Sequence, residues 1–390
     1  MRNRADRIQA LPRYLFAEID KKVREVQKAG VDVIKLGIGD PDLPTPDYIV
    51  RRMQEEVSRA ENHNYPPDDG LREFREAVAE YYGKRHGVEV DPDKEVVPLI
   101  GSKEGIANIP FCYTNPGDVN LVPDPGYPVY GISTLFAGGT SHIMPLLEKN
   151  NYLPDLTAIP EEVAGKTKLL FLNYPNNPTG ASVTKEFFER VVAFARKYNI
   201  LVCHDAAYSE IAFDGYQPPS FLEAPGGKEV AIEFGSLSKT FNMTGWRIGY
   251  AVGNSEAVEA LYRFKTNTDS GIFKAIQYTG VEALTNPEAV PFLKGLRELY
   301  QGRRDLVVKA LAEAGWPARS PRATFYVWAP VPKRYTSQSF VAYILEKTGV
   351  VVTPGRGFGE YGEGYFRIAL TVKEERLMEA MTRIKEAVSF

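Results

Sequence analysis

The stretch 168–208, KLLFLNYPNNPTGASVTKEFFERVVAFARKYNILVCHDAAY, sets two short apolar runs, KLLFL and ILVCH, on either side of one segment, EFFERVVAFARKY, that follows a helical apolar period. A strand that is apolar on both faces must be covered on both faces. Strand, helix and strand in that order predict a βαβ unit of a mainly parallel sheet. In such sheets ligands bind beyond the carboxyl ends of the strands. Both runs lead there into polar clusters, NYPNNPTG (173–180) after the first and HDAAYSEI at the end of the second.

The same alternation extends outward from about 50 to 285. VVPLI (96–100), VNLVPD (119–124), SHIMPL (141–146), AIEFGSLS (231–238) and IGYAVG (248–253) read as strands between amphipathic segments, among them GSKEGIANIPFCY (101–113). Further on, a long helical segment (288–314) leads to FYVWAPV, a helix near 337–347, GVVVTPG, FRIAL and a closing helix at 373–388. That tail reads as a smaller α+β unit. At the other end the first fifteen or so residues, broken by Pro12, read as an extended arm. Residues 15–29 then follow a helical period to Gly30, a natural C-cap, before VDVIKLGIGDPDLPTP runs from a strand into a Gly/Pro turn. The expected organisation is an α/β chain in three parts: an arm that joins the smaller domain (1–48), a large domain with a mainly parallel, seven-stranded sheet (49–285) and a small domain (286–390).

Among 390 residues, 44% are hydrophobic and 25% charged, ordinary values for a globular protein. Forty-seven basic against 50 acidic side chains give a net charge of −3, which leaves no basic stripe to neutralise a nucleic-acid backbone. Cys112 and Cys203 both lie in apolar stretches, which suits a reducing compartment and excludes a disulfide framework. The basic N-terminus lacks the apolar core of a secretory signal, and no run approaches a membrane-spanning length. The expectation is a cytoplasmic protein without nucleic-acid or membrane partners.

Four polar clusters stand immediately after predicted strands. Gly101-Ser102-Lys103 precedes a helix, whose N-terminal amides and partial positive charge suit a phosphate, although Gly-Ser also caps helices for structural reasons alone. In NYPNNPTG (173–180), Asn177 precedes a proline that biases its backbone away from helix. Its amide could orient a cofactor oxygen or a carboxylate, or serve only a turn. In HDAAYSEI, Asp205 closes a strand and Tyr208 follows, and the carboxylate is either an N-cap or the partner of a cationic group. The fourth cluster, SLSKTFNMTGWRIGY (236–250), puts Lys239 among small and hydroxylated residues, with Arg247 eight residues on. Ser236, Ser238 and Arg247 could surround a phosphate. Lys239, its ammonium disfavoured by burial and nearby cations, would then be a nucleophile toward an aldehyde.

Pyridoxal phosphate needs this inventory: an amine for its aldehyde, a phosphate cup, an anion near the pyridine nitrogen and an aromatic face. Asp205 supplies the anion, Tyr208 a donor to the ring hydroxyl, and Tyr127, in DPGYPVY, a ring to stack. In GYFRIAL, Arg367 lies within an otherwise apolar strand. A guanidinium is costly to bury unless paired, either in a structural ion pair or with a substrate's α-carboxylate, which its planar fork matches in bidentate fashion. No metal site is expected. His63, His86, His142 and His204 are scattered and lack ligand spacing with the cysteines.

RYLFAEID, LGIGDPDLPTP, LIGSKEGIA, DPGYPVY, NYPNNPTG, DAAYSEI, SLSKTFNMTGWRIG and TPGRGFGEYGEGYFRIAL, in that order, cover essentially the whole chain. With them the chain resembles the fold type I, aspartate-aminotransferase-like pyridoxal phosphate enzymes, and among these most resembles the LL-diaminopimelate aminotransferases. The resemblance implies that Lys239 binds the cofactor's aldehyde and later moves the proton at the substrate's Cα. Ser102, Lys103, Ser236 and Arg247 match phosphate-cup positions, Asp205 the ring-nitrogen partner, and Tyr208 and Asn177 the ring-oxygen partners. Tyr127 matches the stacking aromatic and Arg367 the α-carboxylate clamp. Tyr65, in NYPPDDG, would reach the cofactor phosphate of a neighbouring subunit, so a homodimer with shared sites is implied. Gly39 would lie against the substrate with Tyr14 nearby. The PPDDG after Tyr65 varies in the family, and Asp68 is the expected anion for a distal ammonium.

The activity implied is transamination between an amino acid and a 2-oxo acid, with tetrahydrodipicolinate aminated from glutamate in lysine biosynthesis. An alanine or aspartate aminotransferase, or a β-lyase, would share the same core. A ligand-sensing regulator would need an added helix-turn-helix module and a basic face, and this sequence opens directly on the arm.

Overall fold

The computed structural model describes residues 4–11 and 15–388. Its strands, in chain order, are β1 (Ile34–Lys35), β2 (Val96–Leu99), β3 (Val119–Asp124), β4 (Thr140–Pro145), β5 (Thr167–Asn173), β6 (Leu201–Asp205), β7 (Ala231–Ser236), β8 (Gly249–Gly253), β9 (Tyr326–Pro330), β10 (Val350–Val351), β11 (Thr353–Pro354) and β12 (Tyr365–Ala369). Seven of them form one sheet in the order β2-β8-β7-β6-β5-β3-β4. Neighbours from β7 to β4 run parallel, whereas β8 is antiparallel to both β7 and β2. The sheet is therefore mainly parallel, as its apolar strands require.

The apolar runs need both faces covered, and successive residues divide between them. Leu169 and Phe171 of β5 pack in a core with Ile106 and Ile109 of helix Ser102–Tyr113 and Leu261 of helix Ser255–Lys265. Leu170 and Leu172 face the other way, into a core with Phe188, Val191 and Val192 of helix Lys185–Tyr198 and Phe74 and Val78 of helix Arg72–His86. Burying one such Leu or Phe contributes about 1.5–3 kcal/mol, so a polar residue within these strands would be costly.

A separate core gathers helices Ala289–Glu313, Ser337–Thr348 and Glu374–Ala387 around the antiparallel sheet β11-β12-β9. Ile34 and Leu36 belong to this core, β1 pairs with β10, and the Ala369 amide donates to the Leu36 carbonyl at 2.8 Å. The N-terminal segment thus packs with the C-terminal elements. Helix Leu15–Lys28 ends before Gly30, whose φ of +83° makes it the expected helix stop. The described part of the arm departs from the extended expectation. Asp6–Gln9 form a helical turn in which the Ile8 and Gln9 amides donate to Ala5. Among the described residues no helix is long and apolar enough to cross a membrane.

Candidate active site

Asp124, Asn173, Asp205 and Ser236 are the last residues of β3, β5, β6 and β7, strands that share one direction. Parallel strands deliver their final side chains to one edge, and the candidate site lies there. Asn173 and Asp205 are direct cross-strand partners.

Asp205 is 6% exposed. Its Oδ2 accepts a 2.8 Å hydrogen bond from the Tyr130 hydroxyl, while Oδ1 is buried with no partner. Burial raises the carboxyl above its usual range, opposed by Tyr130, His204 and the Ala207 amide. The carboxylate caps no helix, so the N-cap alternative falls. An orphaned buried acceptor is costly, and a cationic N–H donor would offset that cost.

Lys239 sits on the helical turn Leu237–Thr240 directly after β7. Its Nζ donates to the Gly39 carbonyl at 2.7 Å and lies 5.8 Å from the centre of the Phe325 ring. Burial pushes the amine down to about 8, with Arg367 and Arg247 acting in the same sense and Asp40 against them. About a tenth is therefore uncharged at neutral pH, far more than for an ordinary lysine, and that form is the nucleophilic one. Gly39 has room for no side chain, because a Cβ there would lie 1.8 Å from the Tyr326 hydroxyl.

Tyr208 is buried, with its hydroxyl 3.2 Å from that of Tyr326. Arg367 is 4% exposed and has no carboxylate within ion-pair distance among the described residues. Instead Nη1 donates to Asn177 Oδ1 at 2.6 Å and Nη2 to the Gly37 carbonyl at 2.8 Å, leaving Nε buried without a partner. The guanidinium lies 4.0 Å from the Tyr326 ring centre and 4.7 Å from that of Phe358. A buried cation held by neutral groups and aromatic faces is incomplete until an anion joins it. Because a guanidinium only donates, the Asn177 oxygen must face it, which turns Nδ2 the other way.

The anion cup is looser. Ser102 begins helix Ser102–Tyr113, and the first-turn amides of Ser102 and Lys103 lie where a helix leaves donors unpaired. Arg247 comes against this turn, its Nη2 3.4 Å from the Ile100 carbonyl and its Nη1 2.9 Å from that of Thr244. A Cβ at Gly101 would stand 2.3 Å from Nη2 and displace the guanidinium, and the φ of +73° there itself favours glycine. Ser236 Oγ accepts from the Ser238 amide at 3.2 Å. The exposed Lys103 reaches over the Tyr127 ring at 5.8 Å, and Tyr127 stands edge-on to Tyr130 at 6.0 Å.

Tyr65 and Asp68 are both exposed on the loop before helix Arg72–His86, Tyr65 82% exposed. Tyr14 lies outside the described residues. Among the described residues no cluster of His, Cys, Asp or Glu suits a metal ion. Three contributors escaped the sequence reading: Tyr130, Tyr326 and Asn173. The last binds the Asp205 carbonyl through Nδ2 at 2.7 Å and the Asn177 amide through Oδ1 at 2.8 Å.

These residues fit pyridoxal phosphate on chemical grounds, since the orphan Asp205 oxygen matches a protonated ring nitrogen and the depressed Lys239 amine matches an aldehyde. Comparison with known proteins agrees. The model for "Aminotransferase class I and II" matches residues 31–384. The chain is 58% identical to an LL-diaminopimelate aminotransferase of Moorella thermoacetica over 98% of both chains. It is 41% identical to apo-BacF from Bacillus subtillis, with a TM-score of 0.95 over 99% of this chain and 98% of that one. With a Thermus thermophilus aspartate aminotransferase mutant the identity is 30% and the TM-score 0.93 over the whole of both chains. The chain belongs to the class I and II aminotransferases, pyridoxal phosphate enzymes with the aspartate-aminotransferase-like fold type I.

Proposed function

We propose that the enzyme exchanges an amino group between LL-2,6-diaminopimelate, in equilibrium with tetrahydrodipicolinate, and the pair glutamate and 2-oxoglutarate, a step of lysine biosynthesis. The observation that carries the substrate is the 58% identity over 98% of both chains to a protein of that name, against 30% to an aspartate aminotransferase. The observation that carries the chemistry is the pairing of a depressed amine, Lys239, with an anion-seeking Arg367 in one pocket.

When bound, pyridoxal phosphate supplies an aldehyde to receive the amino group and an electron-poor ring to stabilise charge at Cα. Asp205 Oδ1 would hold the proton on the ring nitrogen, and Tyr130 keeps the carboxylate oriented for it. Tyr208 and Asn177 Nδ2 would donate to the ring oxygen, and Tyr127 would cover one face. Ser102, Lys103, Ser236 and Arg247 would hold the phosphate, the first two through backbone amides. Arg367 would bind the α-carboxylate and fix Cα beside Lys239. Lys239 Nζ, its ammonium form disfavoured by burial, would in its uncharged form take the proton from Cα and return it on the other side of the exchange. Gly39, packed directly against the Tyr326 hydroxyl, would lie against the substrate.

The same proposal includes a homodimer with shared sites. Its support is Tyr65, a large aromatic 82% exposed in the single chain. Asp68, three residues on, would meet the distal ammonium from across the interface, and Asp68→Ala should raise the Michaelis constant for diaminopimelate while sparing that for glutamate. We also propose domain limits of 1–48, 49–285 and 286–390, supported by the separate cores, and a cytoplasmic location, supported by two free thiols. The activity is tested with LL-diaminopimelate, alanine and aspartate as donors to 2-oxoglutarate. Glutamate formed fastest from diaminopimelate supports the proposal, and a preference for alanine or aspartate, or ammonia release without a 2-oxo acid, rejects it.

A further inference from the structure

Asp124, the last residue of β3, is 6% exposed and is not part of the pocket described above. Its carboxylate reaches across to the loop after β11. Oδ2 accepts from the Glu360 amide and Oδ1 from the Tyr361 amide, each at 2.9 Å. Two residues along, the Gly126 amide donates to the Phe358 carbonyl at 2.8 Å. Gly359 lies between these contacts with φ +134°, and a Cβ on it would stand 2.2 Å from Asp124 Oδ1. No other residue permits this approach. The loop held in this way carries Phe358, whose ring centre is 4.7 Å from the Arg367 guanidinium and which meets Trp328 edge-on at 6.2 Å.

We propose that Asp124 is a positioning residue for the carboxylate clamp: it fastens residues 358–361 to the end of β3, and so holds Phe358 against Arg367. The inference rests on the reading that Arg367 binds a substrate carboxylate. Two backbone amides need two acceptor oxygens, which an ionised carboxylate has and a carboxamide lacks. Two charged side chains of the loop, Glu360 and Arg356, pair with each other and act on Asp124 in opposite senses, so the loop offers Asp124 no ion-pair partner of its own. Burial without a counter-cation is costly, and the two amide bonds offset that cost only while the loop is docked. A bound carboxylate that favours the docked loop gains affinity from this fastening.

The test uses the cofactor-loaded enzyme and its Asp124→Asn, Gly359→Ala and Arg367→Lys variants. Amide exchange is read at Glu360 and Tyr361, and affinity for succinate, an unreactive dicarboxylate, from the cofactor's absorbance. Asp124→Asn and Gly359→Ala should each speed exchange at both amides and weaken succinate binding about tenfold, the loss expected for one hydrogen bond to a charged group. The cofactor's absorbance maximum should stay that of the parent. Arg367→Lys should weaken succinate without touching the exchange. Unchanged exchange, or faster exchange with unchanged succinate affinity, in whichever of the two loop variants folds, overturns the role of Asp124. Unchanged succinate affinity in Arg367→Lys overturns the clamp reading instead.

Discussion

Arg367 Nη1 donates to Asn177 Oδ1 at 2.6 Å, across 190 residues of sequence. A cation of the small antiparallel sheet and the turn after β5 of the large sheet therefore share one hydrogen bond, and one wall of the pocket is built from both.

Substituting the guanidinium tests that wall. In Arg367→Lys a point charge replaces a planar fork, and the bidentate grip on a carboxylate is lost. The Michaelis constants for glutamate and diaminopimelate should rise about 100-fold, the order set by two charge-assisted hydrogen bonds, with a smaller change in kcat. Steady-state kinetics with both substrates checks this, and a fall in kcat alone would count against the clamp.

The orphan oxygen of Asp205 gives a sharper prediction. Asp205→Asn keeps the size and an acceptor, but removes the charge that would hold a proton on the ring nitrogen. Activity should fall at least about 100-fold, a loss of roughly 2.7 kcal/mol in the transition state. Tyr130→Phe, which removes only the orienting hydroxyl, should cost less. Single-turnover rates for the two variants check the order.

Lys239 sets a pH dependence of known sign. Its amine is lowered from 10.5 to about 8, so the uncharged form grows as pH rises toward 8 and levels above it. The rate at which cofactor-free enzyme takes up pyridoxal phosphate should climb about tenfold per pH unit below that point and then flatten. Asp40 favours the ammonium, so Asp40→Asn should move the break to lower pH. Stopped-flow absorbance across pH 6–10, a range of about four units around the expected value, reads both.

Tyr65 predicts complementation. If it serves the neighbouring subunit's site, Tyr65→Ala and Lys239→Ala enzymes, each nearly inactive, should regain about a quarter of normal activity when dissociated and reassociated together, because half the random dimers carry one intact site of two. Activity of the mixture no higher than that of its parts would place Tyr65 outside the site.

The layered sheet could be read from KLLFL and ILVCH because strands buried on both faces have no polar alternation. The strand order could not. That β8 is antiparallel to both β2 and β7 depends on connections that a local pattern does not encode. In the pocket, Lys239, Asp205 and Arg367 were conspicuous because a charge in apolar or small company needs a reason. Tyr130 and Tyr326 were not, because an aromatic in an apolar stretch is ordinary, and only the fold brings their hydroxyls to Asp205 and Tyr208. One signal was available: Tyr130 follows Tyr127 by three residues, so a helical turn there puts both on one side. The grip of Asp124 on 360–361 spans more than two hundred residues and leaves no trace in either stretch.

The central claim is that Lys239 is the amine that engages pyridoxal phosphate. Purified enzyme loaded with the cofactor, reduced with borohydride and digested should yield one pyridoxyl-labelled peptide, with the label on Lys239. A label on another lysine, or none on the peptide that contains 236–247, would contradict the account.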